Sequence, residues 1–248
     1  MIVYESKESF LLITQHDHAR ISGDIMSAWG NWDSGDRRFE DCIHAAYGHD
    51  RSWIDLDSWP LWNDAEHRPY SFRDFPPKIR FQYYTKGLNE VQEANGYAAL
   101  LCSMLYTMLV EKFPSKDAIQ FVNSEKARQN NIKELLRVDE IQLQKHLKML
   151  VLCDELSLYL CMNQPGTPRE QYEWFADGFS YDAEKSKIYA DWSGEKAVEV
   201  FPFPFARTIE TVLVYREVSK AAIHQYGIAE AYSSAAVQES TIIIKSRT

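Results

Sequence analysis

Four side chains able to bind a metal fall where the sequence otherwise places apolar residues on helices. His18 lies three residues before Ile21, on the same face of the predicted helix as Ile21 and later apolar residues. Asp154 interrupts the apolar face of a helix much later in the chain. His49 and Asp50 end the apolar stripe of a further helix. An ionised carboxylate on a buried face is costly unless it is paired or bound to a metal. The spacing therefore predicts either a metal site or a buried hydrogen-bonded pair of His18 and Asp154.

The residue types indicate which metal and which chemistry these positions can support. Two imidazoles and two carboxylates offer mixed nitrogen and oxygen ligands, which suit a first-row divalent cation such as Mn, Fe, Co, Ni or Zn. Such a cation, with open positions for water, lowers the pKa of a bound water and polarises a phosphoryl oxygen. The sequence thus provides candidate ligands for a divalent metal: His18, His49, Asp50 and Asp154.

The order of these residues, a His, then His-Asp, then a distant Asp, resembles the HD superfamily of metal-dependent phosphohydrolases. The matching segments are QHDHA at 15–19, AAYGHD at 45–50 and LCDELS at 152–157. The resemblance covers residues 16–162 and implies that Asp50 orients the attacking water. It also implies a set of four metal ligands: His18, His49, Asp50 and Asp154. The stretch 88–112 lacks the additional histidines of two-metal members, so we expect one metal. The sequence also resembles a narrower bacterial family of unknown function, which implies no activity.

Hydrophobic spacing predicts the elements that would position this site. Helices are expected over 17–30, 37–51, 88–112, 117–128 and 139–164. A strand is expected near the start, and the C-terminal part reads as strands at 187–192, 197–205, 211–218 and 240–246, with a short helix at 221–236. We therefore expect a mainly α fold. An HD-like helical metal-binding domain would occupy residues 1–168, and a small β-rich appendage would occupy residues 169–248.

Residues 52–82 show no helical period and predict a long loop beside the metal site. In this loop and just before it, Arg51, Arg68 or Arg73 can hold a phosphate, and Trp53 can stack on a base or a sugar. The same aromatic residues are equally expected if they only anchor a long loop. Both interpretations stay open at the level of sequence.

The acidic composition limits the partners. A net charge of −9 without a Lys/Arg run excludes binding through a nucleic-acid backbone, whereas a small phosphorylated substrate needs only local cations or a metal. The N-terminus does not resemble a secretion signal, and the longest apolar stretch, 97–110, is shorter than the roughly 20 residues that span a bilayer. The four cysteines form no CxxC pair. We expect a cytoplasmic protein without membrane or nucleic-acid partners.

The predicted function is hydrolysis of a small phosphorylated metabolite or nucleotide by a metal-dependent phosphohydrolase. One alternative is a metal-binding sensor or partner-binding module without turnover. Another is a different helical metalloenzyme, an oxygenase or a hydrolase, that uses the same ligands. An enzyme needs an open metal position and a cationic pocket wall, and a sensor needs neither.

Overall fold

The computed structural model describes residues 1–30, 32, 35–172, 174–180 and 187–247. The helices in these ranges are α1 (Gln15–Ser27), α2 (Phe39–Gly48), α3 (Ile54–Ser58), α4 (Pro77–Ala94), α5 (Gly96–Val110), α6 (Lys116–Leu136), α7 (Glu140–Cys161), α8 (Lys220–Tyr226) and α9 (Ile228–Ser234). The strands in the same ranges are β1 (Ile2–Glu5), β2 (Ser9–Ile13), β3 (Trp62–Asn63), β4 (Arg68–Pro69), β5 (Phe179–Ser180), β6 (Lys187–Trp192), β7 (Ala197–Phe201), β8 (Ile209–Ser219) and β9 (Val237–Ser246).

A seven-stranded sheet joins the two ends of the described chain, in the order β1-β2-β8-β9-β7-β6-β5. The neighbouring strands are antiparallel except for β7 and β9, which are parallel. The sheet is curled into a half-barrel, and about 52% of the described residues are helical. The predicted fold class, mainly α with a small C-terminal β appendage, is therefore wrong.

The fold prediction failed because a local pattern identifies a strand without identifying its partner. The apolar run in β2 predicts a strand, but nothing near it in sequence indicates that Phe10 lies opposite Val218 of β8. This pairing adds the N-terminal hairpin to one edge of the sheet that the C-terminal strands form. The predicted division after residue 168 stays a prediction, and the sheet takes strands from both sides of it.

The alternation of side chains gives the sheet two apolar faces. On one face, Ile13 and Leu213 belong to the main core, which also contains the buried residues of the large helices. On the other face, Phe10 and Val218 belong to a smaller core that α8 and α9 complete. Both faces are covered, so the sheet is a central layer of the structure.

Helix α1 is anchored to the first of these faces by two side-chain hydrogen bonds. Thr211 Oγ1 of β8 donates to Asp24 Oδ2 at 2.6 Å, and Arg20 Nη2 donates to the Val212 carbonyl oxygen at 2.9 Å. Because α1 also carries His18, the sheet fixes the position of one of the four candidate ligands.

The long helix predicted over 88–112 is two helices, α4 and α5, which meet at Asn95. Asn95 has extended backbone angles, with φ −155° and ψ 111°. Its side chain accepts a hydrogen bond from the Ala98 N–H at 2.9 Å, so it caps α5. Helix α4 in turn begins at Pro77, inside the segment predicted to be a loop. The sequence contains a recognisable start signal for each helix. The signal for α5 is the pair Asn95-Gly96, and the signal for α4 is Pro77 at its first helical position.

Cys42, Cys102, Cys153 and Cys161 are free thiols, and each is buried. None of the helices in the described ranges combines the length and the apolar character needed to cross a membrane.

Candidate metal centre

Helices α1 and α7 and the turn after α2 bring the four candidate ligands together. His18 lies in the first turns of α1, His49 and Asp50 follow the last residue of α2, and Asp154 lies on α7. The exposed fractions of these four residues are 0, 2, 5 and 8%, respectively. Groups that are ordinarily charged or strongly polar are thus placed deep in the protein, where each needs a partner.

Three atoms of metal-ligand type form a triangle at the centre of this cluster. His18 Nε2 lies 3.2 Å from His49 Nε2, and Asp154 Oδ1 lies 3.0 Å from His18 Nε2 and 3.2 Å from His49 Nε2. Asp50 approaches the same imidazoles, with its Oδ2 3.5 Å from His18 Nε2 and 3.8 Å from His49 Nε2. The structure brings together the four residues that the sequence singled out.

Hydrogen bonds on the far side of each imidazole determine which nitrogen carries the proton. His49 Nδ1 lies 2.8 Å from the Ala46 carbonyl oxygen, which only accepts, so this nitrogen donates. Ser157 Oγ donates its one hydrogen to the Asp154 carbonyl oxygen. It therefore accepts from His18 Nδ1 at 2.8 Å. In their neutral forms, both imidazoles present an unprotonated Nε2 to Asp154 Oδ1.

These tautomers leave three acceptors facing one another, an arrangement that needs a positive charge from added protons or from a metal. Burial lowers the pKa of His49, but the charge of Asp50 and the hydrogen bond with Asp154 outweigh it and raise the pKa to about 9. Burial also acts to raise the pKa of Asp154, but hydrogen bonds with His18 and His49 hold it well below its ordinary value. The cluster therefore attracts a cation.

The size of the triangle fits a metal ion. First-row cations such as zinc bind imidazole nitrogen and carboxylate oxygen at about 2.0–2.2 Å. Adjacent ligand atoms then lie roughly 2.8–3.1 Å apart in octahedral geometry and roughly 3.3–3.6 Å apart in tetrahedral geometry. The three sides of the triangle measure 3.0, 3.2 and 3.2 Å. The far nitrogen of each imidazole donates to a protein oxygen, as metal-binding histidines usually do. His18, His49 and Asp154 form a buried cluster that can bind a metal.

Asp50 is held by two donors that approach its two carboxylate oxygens. Gln15 Nε2 donates to Asp50 Oδ2 at 3.0 Å, and the Tyr106 hydroxyl donates to Asp50 Oδ1 at 3.3 Å. The ring of Tyr84 stacks on that of Tyr106, with centroids 4.2 Å apart. Burial raises the pKa of the Asp50 carboxyl, against the opposing charges of His49 and His18. A nearby cation favours the ionised form of such a group.

Sequence reasoning missed three residues that support the ligands. Gln15 precedes His18 by three residues, and Ser157 follows Asp154 by three residues. Residues three apart on a helix are neighbours on its surface, so this spacing is a signal that identifies both. Tyr106 comes from α5, and nothing near it in sequence links it to Asp50.

Two of the four residues predicted to contact substrate, Arg51 and Trp53, lie directly after Asp50. The Trp53 side chain is buried in the core, 2% exposed, with its ring centroid 5.7 Å from that of Phe75. Arg51 Nε donates to Glu90 Oε2 at 2.7 Å in a partly exposed ion pair. Trp53 therefore anchors the segment after Asp50, and a role for Arg51 or Trp53 in binding substrate stays a prediction.

The other two predicted substrate residues, Arg68 and Arg73, lie further along the same segment. Arg68 Nη2 donates to Asp74 Oδ2 at 3.2 Å. The Arg73 guanidinium carbon lies 3.9 Å from the centre of the Trp174 ring, in a cation–π contact. A role for these arginines in binding a phosphate stays a prediction.

Fold and site together define a protein in which helices packed on a curled mixed sheet hold a buried His-His-Asp cluster. A family model described as "Protein of unknown function (DUF3891)" matches residues 1–220. The chain belongs to this family, and the matched segment contains His18, His49, Asp50 and Asp154. Neither the curated proteins nor the solved structures give a match to the chain.

Proposed function

We propose that this protein is a metal-dependent phosphohydrolase that acts on a small phosphorylated metabolite or nucleotide. One divalent cation, Mn, Fe, Co, Ni or Zn, is bound by four residues: His18, His49, Asp50 and Asp154. The observation that carries the proposal is the triangle of buried acceptors, because hydrogen bonds to Ala46 and Ser157 turn both unprotonated Nε2 atoms toward a carboxylate oxygen.

The chemistry follows from the types of these groups. A bound divalent cation lowers the pKa of a water and polarises a phosphoryl oxygen. Asp50, held by Gln15 and Tyr106, accepts a proton from the attacking water. The water oxygen forms the new bond to phosphorus, the ester P–O bond breaks, and the leaving oxygen takes up the proton that Asp50 accepted. Hydrogen bonds from Gln15 and Tyr106 keep the carboxylate oriented throughout.

The charge of the chain supports a small substrate. With a net charge of −9, the protein repels an extended polyanion, whereas a single phosphate group can be captured locally by a bound cation. Mononucleotides, deoxynucleotides and sugar phosphates meet this condition.

A second candidate function is metal binding without turnover, in a sensor or a partner-binding module. It is favoured by the contacts of the three arginines that were expected to hold a phosphate. Arg51 and Arg68 are paired with carboxylates, and Arg73 lies against an indole ring. A hydrolase that uses one of them must first separate it from that partner.

The deciding experiment is a phosphate-release assay with protein loaded separately with each of the five metals. We expect activity on at least one mononucleotide, deoxynucleotide or sugar phosphate. The Asp50→Ala variant should lose at least about a hundredfold in kcat, in the range of a lost general base. The control is Asp55→Ala, which removes an exposed aspartate paired with Lys86 and should retain activity.

The metal content of each variant is measured in parallel, which separates loss of the cation from loss of the proton acceptor. If the loaded protein releases no phosphate from any compound, or if Asp50→Ala keeps its activity, the hydrolase proposal fails. The metal-binding module then takes its place.

A further inference from the structure

Gln15 lies beside the cluster, where its backbone N–H and its side-chain amide nitrogen each donate a hydrogen bond to an aspartate. It is the first residue of α1 and is 4% exposed. Its backbone N–H, which has no partner within the helix, donates to Asp57 Oδ2 at 2.6 Å. Its side-chain Nε2 donates to Asp50 Oδ2 at 3.0 Å. Because an ionised carboxylate only accepts, the amide nitrogen must face Asp50, and the orientation of the amide group is determined.

The amide oxygen of Gln15 is buried and has no hydrogen-bond partner among the described residues. The two polar atoms of an amide are about 2.3 Å apart, so this oxygen lies no more than about 5.3 Å from Asp50 Oδ2. The same Asp50 oxygen lies 3.5 Å from His18 Nε2 and 3.8 Å from His49 Nε2. A buried acceptor almost always has a donor. A water bound beside the cluster can supply the donor that Gln15 Oε1 lacks among the described residues.

We propose that Gln15 positions the reacting water. Its Oε1 accepts one hydrogen of that water, while its Nε2 holds the Asp50 carboxylate that accepts the other. Two accepted hydrogens fix the orientation of the water and leave an oxygen lone pair for phosphorus. Glutamine suits this position because it supplies one donor and one acceptor at every pH at which the protein is folded. This inference rests on the proposed hydrolase function.

Tyr106 provides a matched control for this role. Its hydroxyl donates to the other oxygen of Asp50, so Tyr106→Phe removes one hydrogen bond to the same carboxylate and leaves Gln15 Oε1 in place. Gln15→Met keeps a side chain of similar length and removes both the donor and the acceptor. If Gln15 only supports Asp50, the two variants should lose similar amounts of activity.

With the metal-loaded protein and its best substrate, kcat of Gln15→Met should fall about a hundredfold. For Tyr106→Phe the fall should be no more than about tenfold. KM should change less than about threefold in both variants. The metal dissociation constant should rise by a similar factor, about tenfold, in each, because each variant loses one hydrogen bond to Asp50, so kcat is measured at saturating metal. In Gln15→Glu, protonation of the introduced carboxyl restores a donor and an acceptor, so its activity relative to wild type should rise as the pH falls. Equal losses in Gln15→Met and Tyr106→Phe overturn the proposal.

A crystal structure of the wild-type protein soaked with Mn²⁺ tests the same inference without turnover. We expect a solvent oxygen within about 3.2 Å of Gln15 Oε1 that also lies within about 2.2 Å of the cation. If the cation is bound but Oε1 contacts only protein atoms, or a water remote from the cation, this inference fails and the metal site stands. If that solvent oxygen is present but no phosphoester is hydrolysed, the positioning contact stands and the hydrolase function fails. If no Mn²⁺ binds, both fail.

Discussion

The structure contains two buried clusters of histidine and aspartate that differ in how their hydrogen bonds are balanced. The metal cluster consists of His18, His49 and Asp154. The second cluster, which we call the closed cluster, consists of Asp36, Tyr97 and His146, in the segment before α2 and on α5 and α7. The exposed fractions of the residues in the closed cluster are 9, 2 and 0%, respectively.

In the closed cluster every donor faces an acceptor. His146 Nε2 lies 2.7 Å from Asp36 Oδ2, and because a carboxylate only accepts, this nitrogen donates. The Tyr97 hydroxyl then donates to the unprotonated Nδ1 of His146 at 2.8 Å. The Trp32 ring stacks on the imidazole. Burial lowers the pKa of His146 despite its hydrogen bond with Asp36. A neutral imidazole satisfies this cluster, so a cation adds nothing to it.

The comparison shows that burial of histidine and aspartate does not by itself indicate a metal site. Both clusters are similarly buried, and both contain histidine and aspartate. They differ because hydrogen bonds to Ala46 and Ser157 hold the protons of His49 and His18 away from the centre, so that acceptors meet there. The balance of donors and acceptors therefore distinguishes a site for a cation from a structural contact.

The largest expected effect on stability comes from breaking the closed cluster. His146→Ala removes the hydrogen-bond partner of the Tyr97 hydroxyl and of Asp36 Oδ2, while Asp36 Oδ1 keeps the Arg38 N–H. The loss should cost about 3–5 kcal/mol of unfolding free energy. Urea denaturation measures the change. Metal content should stay at the wild-type value in the folded variant. Loss of metal from His146→Ala, with the fold retained, would show that the two clusters are not independent.

The next largest effect is expected on metal affinity, which should respond differently to substitution of Asp154 and of Asp36. Asp154→Asn replaces an ionised ligand with an amide and should weaken metal binding at least about a hundredfold, with a lower Tm in the presence of metal. Asp36→Asn should leave metal affinity within about threefold of wild type. Competition with a chromogenic chelator gives both constants. Unchanged metal content together with equal or higher stability in Asp154→Asn would indicate a hydrogen-bonded core pair and no metal.

The pH dependence of metal binding sharpens the comparison further. In the metal-free protein the pKa of His49 is about 9, above its ordinary value of 6.5. The stability from its charge is therefore present below pH 6.5 and lost as the pH rises through about 9. A metal must displace this proton, so its affinity should increase about tenfold per pH unit below 9. The affinity measured at pH 6, 7 and 8 tests this, and a flat profile would contradict it.

The smallest effect is expected at Ser157, which holds the His18 tautomer. Ser157→Ala removes the acceptor for His18 Nδ1 and should weaken metal binding about tenfold, in the range found for partners of metal ligands. The matched control is Ser27→Ala, because Ser27 makes the same bond to a carbonyl three residues earlier on α1 and contacts no histidine. Similar changes in metal affinity in the two variants would show that the loss is a general effect on the helices.

The sequence predicted the site better than the fold, and the reason is physical. A polar residue on an apolar helical stripe is visible in the local spacing, which identified His18 and Asp154. The partner of a strand is not visible in this way, so the pairing of β2 with β8 was missed. Helix ends are an intermediate case. Asn95-Gly96 is a recognisable start signal, but the apolar periodicity of the surrounding residues led to the prediction of one long helix.

The balance of hydrogen-bond donors and acceptors in a cluster could also not be predicted from the sequence. The partners of His146 lie far from it in the chain, on the segment before α2 and on α5, and no periodicity connects them. The contact between His49 and the Ala46 carbonyl is local, but it depends on the backbone geometry at the end of α2. Only the folded chain shows which nitrogen of each imidazole is unprotonated.

The central claim is that the metal cluster binds one divalent cation and the closed cluster binds none. Elemental analysis of protein purified without chelator, and again after titration with each of the five metals, tests it most directly. We expect about one equivalent of a transition metal per chain, loss of this metal in His49→Ala, and full retention in His146→Ala. A wild-type protein that contains no metal and takes up none, or a bound metal that survives the loss of His49, would contradict the claim.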